Sequence, residues 1–291
     1  MTTRISIDGQ VGDEGSAKIS VLDRGFLYGD SVYEVLRTYG GRPFALPEHL
    51  ERLRHSAELL ELPMPLDDAG LRQEIAATIA ATGNAESYVR VIVTRGAGPI
   101  GLDPALAAGP CRVIIVTALK RWPDELYAQG APIALVPTGR PAEGPAGGAA
   151  KSGNYLTNLL ALGRARRSGA HEALLLDAEG HVAEGSSSNV FVVREEGLLT
   201  PPVEAGILEG ITRRKVIALA RRAGIAVHEQ PLTPEDLFGA SEVFITSTLR
   251  EVMPVTRVDD RAVGGGVPGR LTTRLRELFT AYVAAWLARA D

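Results

Sequence analysis

The chain has 291 residues and a mass of 30.9 kDa, which at roughly 150 residues per domain allows one large domain or two modest ones, either able to bury a core without metals or disulfides. With 45% hydrophobic and 23% charged residues it has a folded, globular composition rather than a disordered one. Its 31 basic and 35 acidic residues give a net charge of -4, and no basic block exceeds short clusters such as Arg164, Arg166 and Arg167, so nucleic acid is not an expected partner. No run of about 18 apolar residues is present to span a bilayer.

The opening residues, Met1 to Asp8, lack the apolar centre of a signal peptide, so a cytoplasmic protein is expected. Residues 5–7, 17–21 and 31–37 read as strands of an antiparallel meander, punctuated by Asp8-Gly9 and Gly40-Gly41. Pro47 then opens a helix with Leu50, Leu53, Ala57 and Leu60 at three- and four-residue spacing, and Asp67-Asp68 starts another with Leu71, Ile75 and Ile79. Residues 88–94 and 112–117 return to strand. Charges, Trp122-Pro123 and Gly130 then interrupt the pattern, which predicts a small N-terminal α/β domain over 1–118, a connector over 119–130 and a larger domain over 131–291.

In the second part, strands are predicted at 133–136, 172–176, 190–193 and 243–246, and helices at 155–168, 212–223 and 270–287, with a Gly/Pro/Ala loop over 139–149. The fold class is therefore α/β in the sense of mixed α+β.

Several motifs fail on inspection. The run ending Lys151-Ser152 has Pro145 and Ala150 where a phosphate-binding loop needs glycine, and Gly264-x-Gly266-x-x-Gly269 contains Pro268 and has no βαβ unit after it. Five histidines and one cysteine show no metal-ligand spacing, so no metal is expected, and Cys111 reads as a buried, inert thiol. No nucleophile elbow surrounds the serines at 186–188.

Lysine is the informative count: there are 27 arginines but only Lys18, Lys120, Lys151 and Lys215. A mechanism that needs an amine nucleophile has four candidates. Lys18 falls in a predicted strand, Lys120 in the connector, and Lys215 beside Arg213 and Arg214 on a solvated helix face. Lys151 alone follows a small-residue loop and precedes Ser152-Gly153-Asn154-Tyr155. A coherent set forms around it if the ligand is pyridoxal 5'-phosphate. Tyr155 lies one helical turn on if a helix begins nearby, and Glu184 could hold a pyridine nitrogen protonated. Gly210-Ile211-Thr212 would open a helix toward a phosphate with Thr212 as its cap, Thr246-Ser247-Thr248 offers hydroxyls, and Arg52 a bidentate charge. Each has a plain alternative, such as solvated lysine, core tyrosine, turn glutamate or simple cap.

These residues, with 23–30 (DRGFLYGD), His49-Leu50-Glu51-Arg52-Leu53, 184–191 (EGSSSNVF) and Gly210 to Arg213, resemble almost end to end the class IV, or fold-type IV, aminotransferases. That family includes branched-chain and D-amino-acid aminotransferases and aminodeoxychorismate lyase. The resemblance implies a two-domain fold with the cofactor between the domains and a homodimer completing the pocket. It implies a Schiff base on Lys151, Tyr155 at the cofactor's phenolic oxygen, Glu184 at the ring nitrogen, and Arg52, Ile211, Thr212, Ser247 and Thr248 on the phosphate. Tyr28, Tyr33, Tyr88, Arg90, Leu249 and Arg250 are then the candidate substrate residues. The reaction implied is ping-pong transfer of an amino group from an amino acid to a 2-oxo acid.

Tyr88-Val89-Arg90, Val93 to Gly96 and Gly101 to Pro104 look like the branched-chain group, in which the tyrosine and arginine help bind carboxylates. Tyr33-Glu34-Val35 and Glu184 to Asn189 look more like the D-amino-acid group, whose usual Arg-x-His is absent after Thr94-Arg95-Gly96. Arg250 departs from the branched-chain pattern, which has a small residue there. A branched-chain-like L-amino-acid:2-oxoglutarate aminotransferase is the leading expectation, with a D-amino-acid aminotransferase and then the lyase as alternatives.

Overall fold

The computed structural model describes residues 2–140 and 150–289. Most of the loop expected over 139–149, including Pro145, lies outside the described residues. The chain divides into two compact units: one runs to Lys120 and also takes in Ala150–Asn154, and the other begins at Arg121 and resumes at Tyr155. The division falls inside the stretch expected as a connector. The 150–154 segment, assigned by sequence to the second domain, clusters with the first unit because its backbone pairs with a strand there.

The first unit contains β1 (Arg4–Ile7), β2 (Gln10–Gly12), α1 (Arg24–Tyr28), β3 (Ser31–Tyr39), β4 (Arg42–Pro43), α2 (Leu46–Leu59), α3 (Asp68–Ala80), β5 (Ser87–Thr94) and β6 (Cys111–Ala118). Its six-stranded sheet has the order β2-β1-β6-β5-β3-β4, with every pair antiparallel. One face carries Val32, Leu36, Val89, Val91, Val93, Ile114 and Val116 into a core with Leu50, Leu53 and Ala57 of α2 and Leu71 and Ile75 of α3. The helical stripes read from sequence are thus the buried ones. Truncating fully buried Leu53 to alanine should cost about 2–5 kcal/mol.

The strand expected over 17–21 is not formed. Lys18, Ile19, Ser20 and Val21 are exposed, so no buried face holds the alternation in register, and β1 pairs instead with β2 through the Asp8-Gly9 turn. Lys18 accordingly lies in a loop. The five-residue helix α1 was not expected; Asp23 caps it by accepting from the Gly25 N–H, and Gly29 closes it in the left-handed region.

The second unit contains α4 (Glu125–Ala128), β7 (Ala131–Arg140), α5 (Leu156–Arg167), β8 (Glu172–Asp177), β9 (Val182–Gly185), β10 (Asn189–Arg194), β11 (Gly197–Thr200), α6 (Ile211–Arg222), β12 (Val227–Glu229), α7 (Pro234–Phe238), β13 (Glu242–Ser247), β14 (Glu251–Val258), β15 (Arg261–Ala262) and α8 (Arg270–Ala288). Its mixed sheet has the order β12-β11-β10-β13-β14-β7-β8-β9, with β15 on β14. β7 and β8 are parallel, so α5 is the crossover, and Ala134, Ala161, Ala165, Ala170 and Ala173 let helix and sheet approach closely. A second core of the unit gathers Val190, Ile245 and Met253 of β10, β13 and β14. No helix among the described residues is long and apolar enough to cross a membrane.

Candidate active site

In the first unit Lys151 is held by its backbone. The Tyr33 N–H donates to the Lys151 carbonyl at 3.0 Å, and the Lys151 N–H donates to Ser56 Oγ on α2 at 3.0 Å. Ser152 bridges to Val32, and the Gly153 N–H donates to the Ser31 carbonyl at 2.8 Å. A Cβ on Gly153 would collide with Ser31 Oγ, so only glycine lets this segment lie along β3 so closely. The Lys151 amine reaches the Tyr33 hydroxyl at 3.4 Å and lies 4.5 Å from the ring centroid. The Arg90 guanidinium sits 4.0 Å from the same centroid.

The register of β3 against β5 pairs Tyr33 with Ile92, Val35 with Arg90 and Arg37 with Tyr88. Side chains alternate along a strand, so Tyr33, Tyr88 and Arg90 share the sheet face opposite α2.

Glu34 points to the α2 face and is buried there. It accepts from Arg52 Nε and Nη2 at 2.7 and 2.8 Å, and from His49 Nδ1 at 2.7 Å. Burial opposes its ionisation, but Arg52 and His49 outweigh that and hold the carboxyl down at about 2. Burial pushes the His49 imidazole below its ordinary value against the pull of Glu34. Arg52 is therefore fixed from behind by a carboxylate that its i–3 neighbour on the helix also engages.

The 23–30 motif is a structural clasp. Asp23 accepts from Thr94 Oγ1 at 2.8 Å as well as capping α1. Buried Arg24 donates to Asp30 at 3.1 Å and to the carbonyls of Gly101 and Leu102 at 2.9 and 3.1 Å. Asp30 also accepts from Arg95 at 2.8 Å. Tyr28 lies under the Arg24 guanidinium, with its hydroxyl accepting from the Gly101 N–H at 3.3 Å. Tyr28 is thereby set beside the 97–106 loop.

In the second unit Glu184 sits on β9, immediately before the turn that joins it to β10, and accepts from the Leu208 N–H at 3.1 Å. Asn189 at the start of β10 donates to the Leu208 carbonyl at 2.9 Å, so this 206–210 loop is held against β9 and β10. The loop delivers the chain to α6. Gly210, not Thr212, is the N-cap; Thr212 is one residue inside the helix and buried, and no side chain caps the first turn. The reason is steric, since a Cβ at 210 would collide with Asn189 Oδ1. Ile211 and Thr212 thus present first-turn N–H groups and a hydroxyl at the positive end of a helix.

Tyr155 is the N-cap of α5, which begins at Leu156, so Lys151 is outside the helix and the one-turn spacing expected between them does not arise. The 247–250 turn joins β13 to β14, with Ser247 Oγ accepting from the Arg250 N–H at 3.2 Å and Glu251 at φ 58°. Thr248 and Leu249 are half-buried at its tip, and Thr246 Oγ1, buried on β13, has no hydrogen-bond partner among the described residues.

Arg250 turns inward. Its Nη2 lies 3.0 Å from Glu172 at the start of β8, its Nη1 donates to Ser187 Oγ at 2.9 Å, and its plane lies 4.7 Å from the Trp122 ring. Glu172 is fully buried and also accepts from Ser186 Oγ, from Ser187 Oγ at 3.1 Å and from Ser188 Oγ at 3.3 Å. Next to it His171 packs edge-on against Trp122 at 4.9 Å, and burial, followed by Arg250 and Arg166, pushes its imidazole down to about 4.

Sequence reasoning missed Glu34 and Glu172 as site-building residues. A signal was available: each is a carboxylate among apolar neighbours at a buried strand position, where an unpaired charge is too costly to persist. Lys215 is not a solvated side chain, since it donates to the Tyr282 hydroxyl at 3.4 Å and its neighbour Arg213 is buried against the Pro201 carbonyl and Glu229. Cys111 is half-buried, and burial with Asp8 and Asp23 pushes its thiol up to about 11. Asp177, Glu179 and His181 bring three potential ligand atoms within 4.8 Å, but Asp177 accepts from the N–H groups of both others, which accounts for the cluster as a turn.

Residues 31–258 match the family described as amino-transferase class IV. A Methanocaldococcus jannaschii protein with the provisional name of branched-chain-amino-acid aminotransferase is 40% identical over 283 residues, covering 97% of each chain. The D-alanine aminotransferase of Bacillus licheniformis is 33% identical over 279 residues, 94% of each chain. Among solved structures, the T.th. branched-chain amino acid aminotransferase complexed with N-(5'-phosphopyridoxyl)-L-glutamate superposes with a TM-score of 0.90 at 34% identity, covering 98% of this chain and 95% of that one.

Proposed function

This chain belongs to the class IV aminotransferase family and is an enzyme of that class, and on that premise we propose that it is a pyridoxal-phosphate-dependent branched-chain-like transaminase moving an L-amino group to 2-oxoglutarate. The observation that carries the reading is the mounting of Lys151: a backbone fixed by Tyr33 and Ser56, with its amine against a buried tyrosine.

The residues present fit the cofactor. In the second unit an uncapped α6 N-terminus and the hydroxyls of Thr212, Ser247 and Thr248 offer donors suited to a phosphate, and in the first unit the guanidinium of Arg52 has the same chemistry. Pyridoxal phosphate, when bound, supplies an electron sink that makes the substrate Cα–H acidic. Lys151 would hold the cofactor through its amine, and that amine would move the proton at the substrate Cα. Glu184 holds a proton on the ring nitrogen, and Tyr155 donates to the phenolic oxygen. The substrate residues proposed in the first unit are Tyr28, Tyr33, Tyr88 and Arg90, with Arg90 reading a distal carboxylate, and in the second unit Leu249. The L-glutamate adduct bound to the T.th. neighbour supports 2-oxoglutarate as acceptor. The enzyme works as a cytoplasmic homodimer.

A D-amino-acid donor is the second reading, favoured by the likeness to a D-alanine aminotransferase and by the serine turn after Glu184. A screen of paired L- and D-amino acids against 2-oxoglutarate decides. Turnover of L-leucine, L-isoleucine and L-valine is expected; turnover of D-amino acids alone transfers the case to the second reading. No transamination, with pyruvate released from aminodeoxychorismate, overturns both.

A further inference from the structure

We propose that the buried Arg250–Glu172 ion pair is a positioning device that ties the 185–188 turn to the 247–250 turn, so that Glu184 and Thr248 meet the cofactor in one fixed geometry. The inference rests on the cofactor reading above. It gives Arg250 a role distinct from reading the substrate.

Three observations carry it. First, the pair joins two segments that are remote in sequence and that each end in candidate cofactor residues: Glu184 directly precedes one turn, and Ser247 and Thr248 form the other. Second, both partners grip backbone-defining groups as well as each other. Glu172 accepts from three successive serine hydroxyls of one turn, and Arg250 spans the gap, with Nη1 on Ser187 Oγ at 2.9 Å and its own N–H on Ser247 Oγ at 3.2 Å. The Arg250 carbonyl is anchored in turn by the Tyr127 hydroxyl at 3.1 Å. Third, the guanidinium is turned inward: Arg250 is only 5% exposed, faces a fully buried carboxylate and lies over the Trp122 ring.

A buried ion pair gains little net stability over well-packed apolar residues, because desolvation offsets most of the attraction. What it adds is directionality: a planar fork and a carboxylate with four lone-pair sites fix the orientation of two turns in a way that methyl groups do not. A displacement of a cofactor-holding group by as little as about 1 Å can change the chemistry by about a hundredfold.

The test uses full-length protein with Arg250→Met, Glu172→Gln and the double variant. Apo-protein is titrated with pyridoxal phosphate, and the visible band of the holoenzyme is followed against pH. We expect each single variant to weaken cofactor binding by about tenfold or more and to shift the pH midpoint of the band, with the double variant losing less than the two singles combined. Apolar and dicarboxylate substrates should lose kcat/KM by the same factor. Unchanged affinity and an unchanged pH midpoint in folded R250M would overturn the proposal, and so would a loss confined to dicarboxylates, which would make Arg250 a substrate reader. If R250M does not fold, Arg250→Lys, which keeps the charge and loses the fork, carries the same two readouts. Wild-type protein that takes up no pyridoxal phosphate would instead refute the cofactor reading itself.

Discussion

Each unit buries one carboxylate on a strand against one guanidinium, and the two pairs serve different ends. In the first unit Glu34 and Arg52 are joined across a strand–helix contact, with His49 one helical turn away, and the arginine is itself the group proposed to meet the phosphate. In the second, Glu172 and Arg250 are both withdrawn from solvent, and what they hold is two turns, whose neighbours Glu184 and Thr248 are the ones proposed to meet the cofactor. The comparison teaches that a buried ion pair does not reveal its use by its own geometry. One has to follow which atom of the pair, or of its neighbours, remains directed outward.

The largest effect bears on neither pair. Lys151→Ala removes the only candidate amine with a fixed mount, and turnover and the visible absorbance of bound cofactor should both be almost abolished. Retention of either in purified protein would remove the centre about which the two pairs are compared. Glu34→Gln comes next. Taking away a carboxylate that compensates Arg52 should cost about 3–5 kcal/mol and weaken cofactor binding, which a denaturant titration and an apo-protein titration measure separately.

The same pair makes a pH prediction. The Glu34 carboxyl is depressed in the folded protein, so its contribution is present above its unfolded value near 4.5 and is lost as pH falls toward 2. His49 and His171 are also depressed, and an unfolded imidazole takes up a proton that the folded one refuses. Stability should therefore decline as pH falls below about 6.5, and more steeply below about 4.5. A thermal midpoint that is flat from pH 7 to 4 would contradict the two histidine shifts. For Arg90→Ala a smaller and selective effect is expected: kcat/KM for dicarboxylate acceptors falls more than for apolar ones, and equal losses would show that the Arg90–Tyr33 stack is packing alone. The smallest effect is at Cys111, where a thiol raised to about 11 should resist alkylation at pH 8 until the chain unfolds, and Cys111→Ser should leave turnover unchanged.

Periodic elements were legible because their physics is local. The stripe of α2 and the alternation of β5 are each decided within a dozen residues. The motifs at 151–155, 184–191 and 210–213 were legible because a resemblance supplied their company. What could not be read was decided at a distance. Whether 17–21 is a strand depends on a buried face that only tertiary packing supplies, and the partner of Arg250 lies on a strand far upstream. Thr212 has the chemistry of a cap, but Asn189 on another strand leaves room only for glycine at 210.

Because the main chain at Lys151 is locked to β3 and α2, the amine can change place only by exchanging rotamers of its four-carbon stem. In exposed side chains such hops take picoseconds to nanoseconds, and rotamer exchange needs no loop closure or domain motion. A catalytic cycle run by this amine would have its proton carrier ready before each turnover began, with no slow segment to wait for.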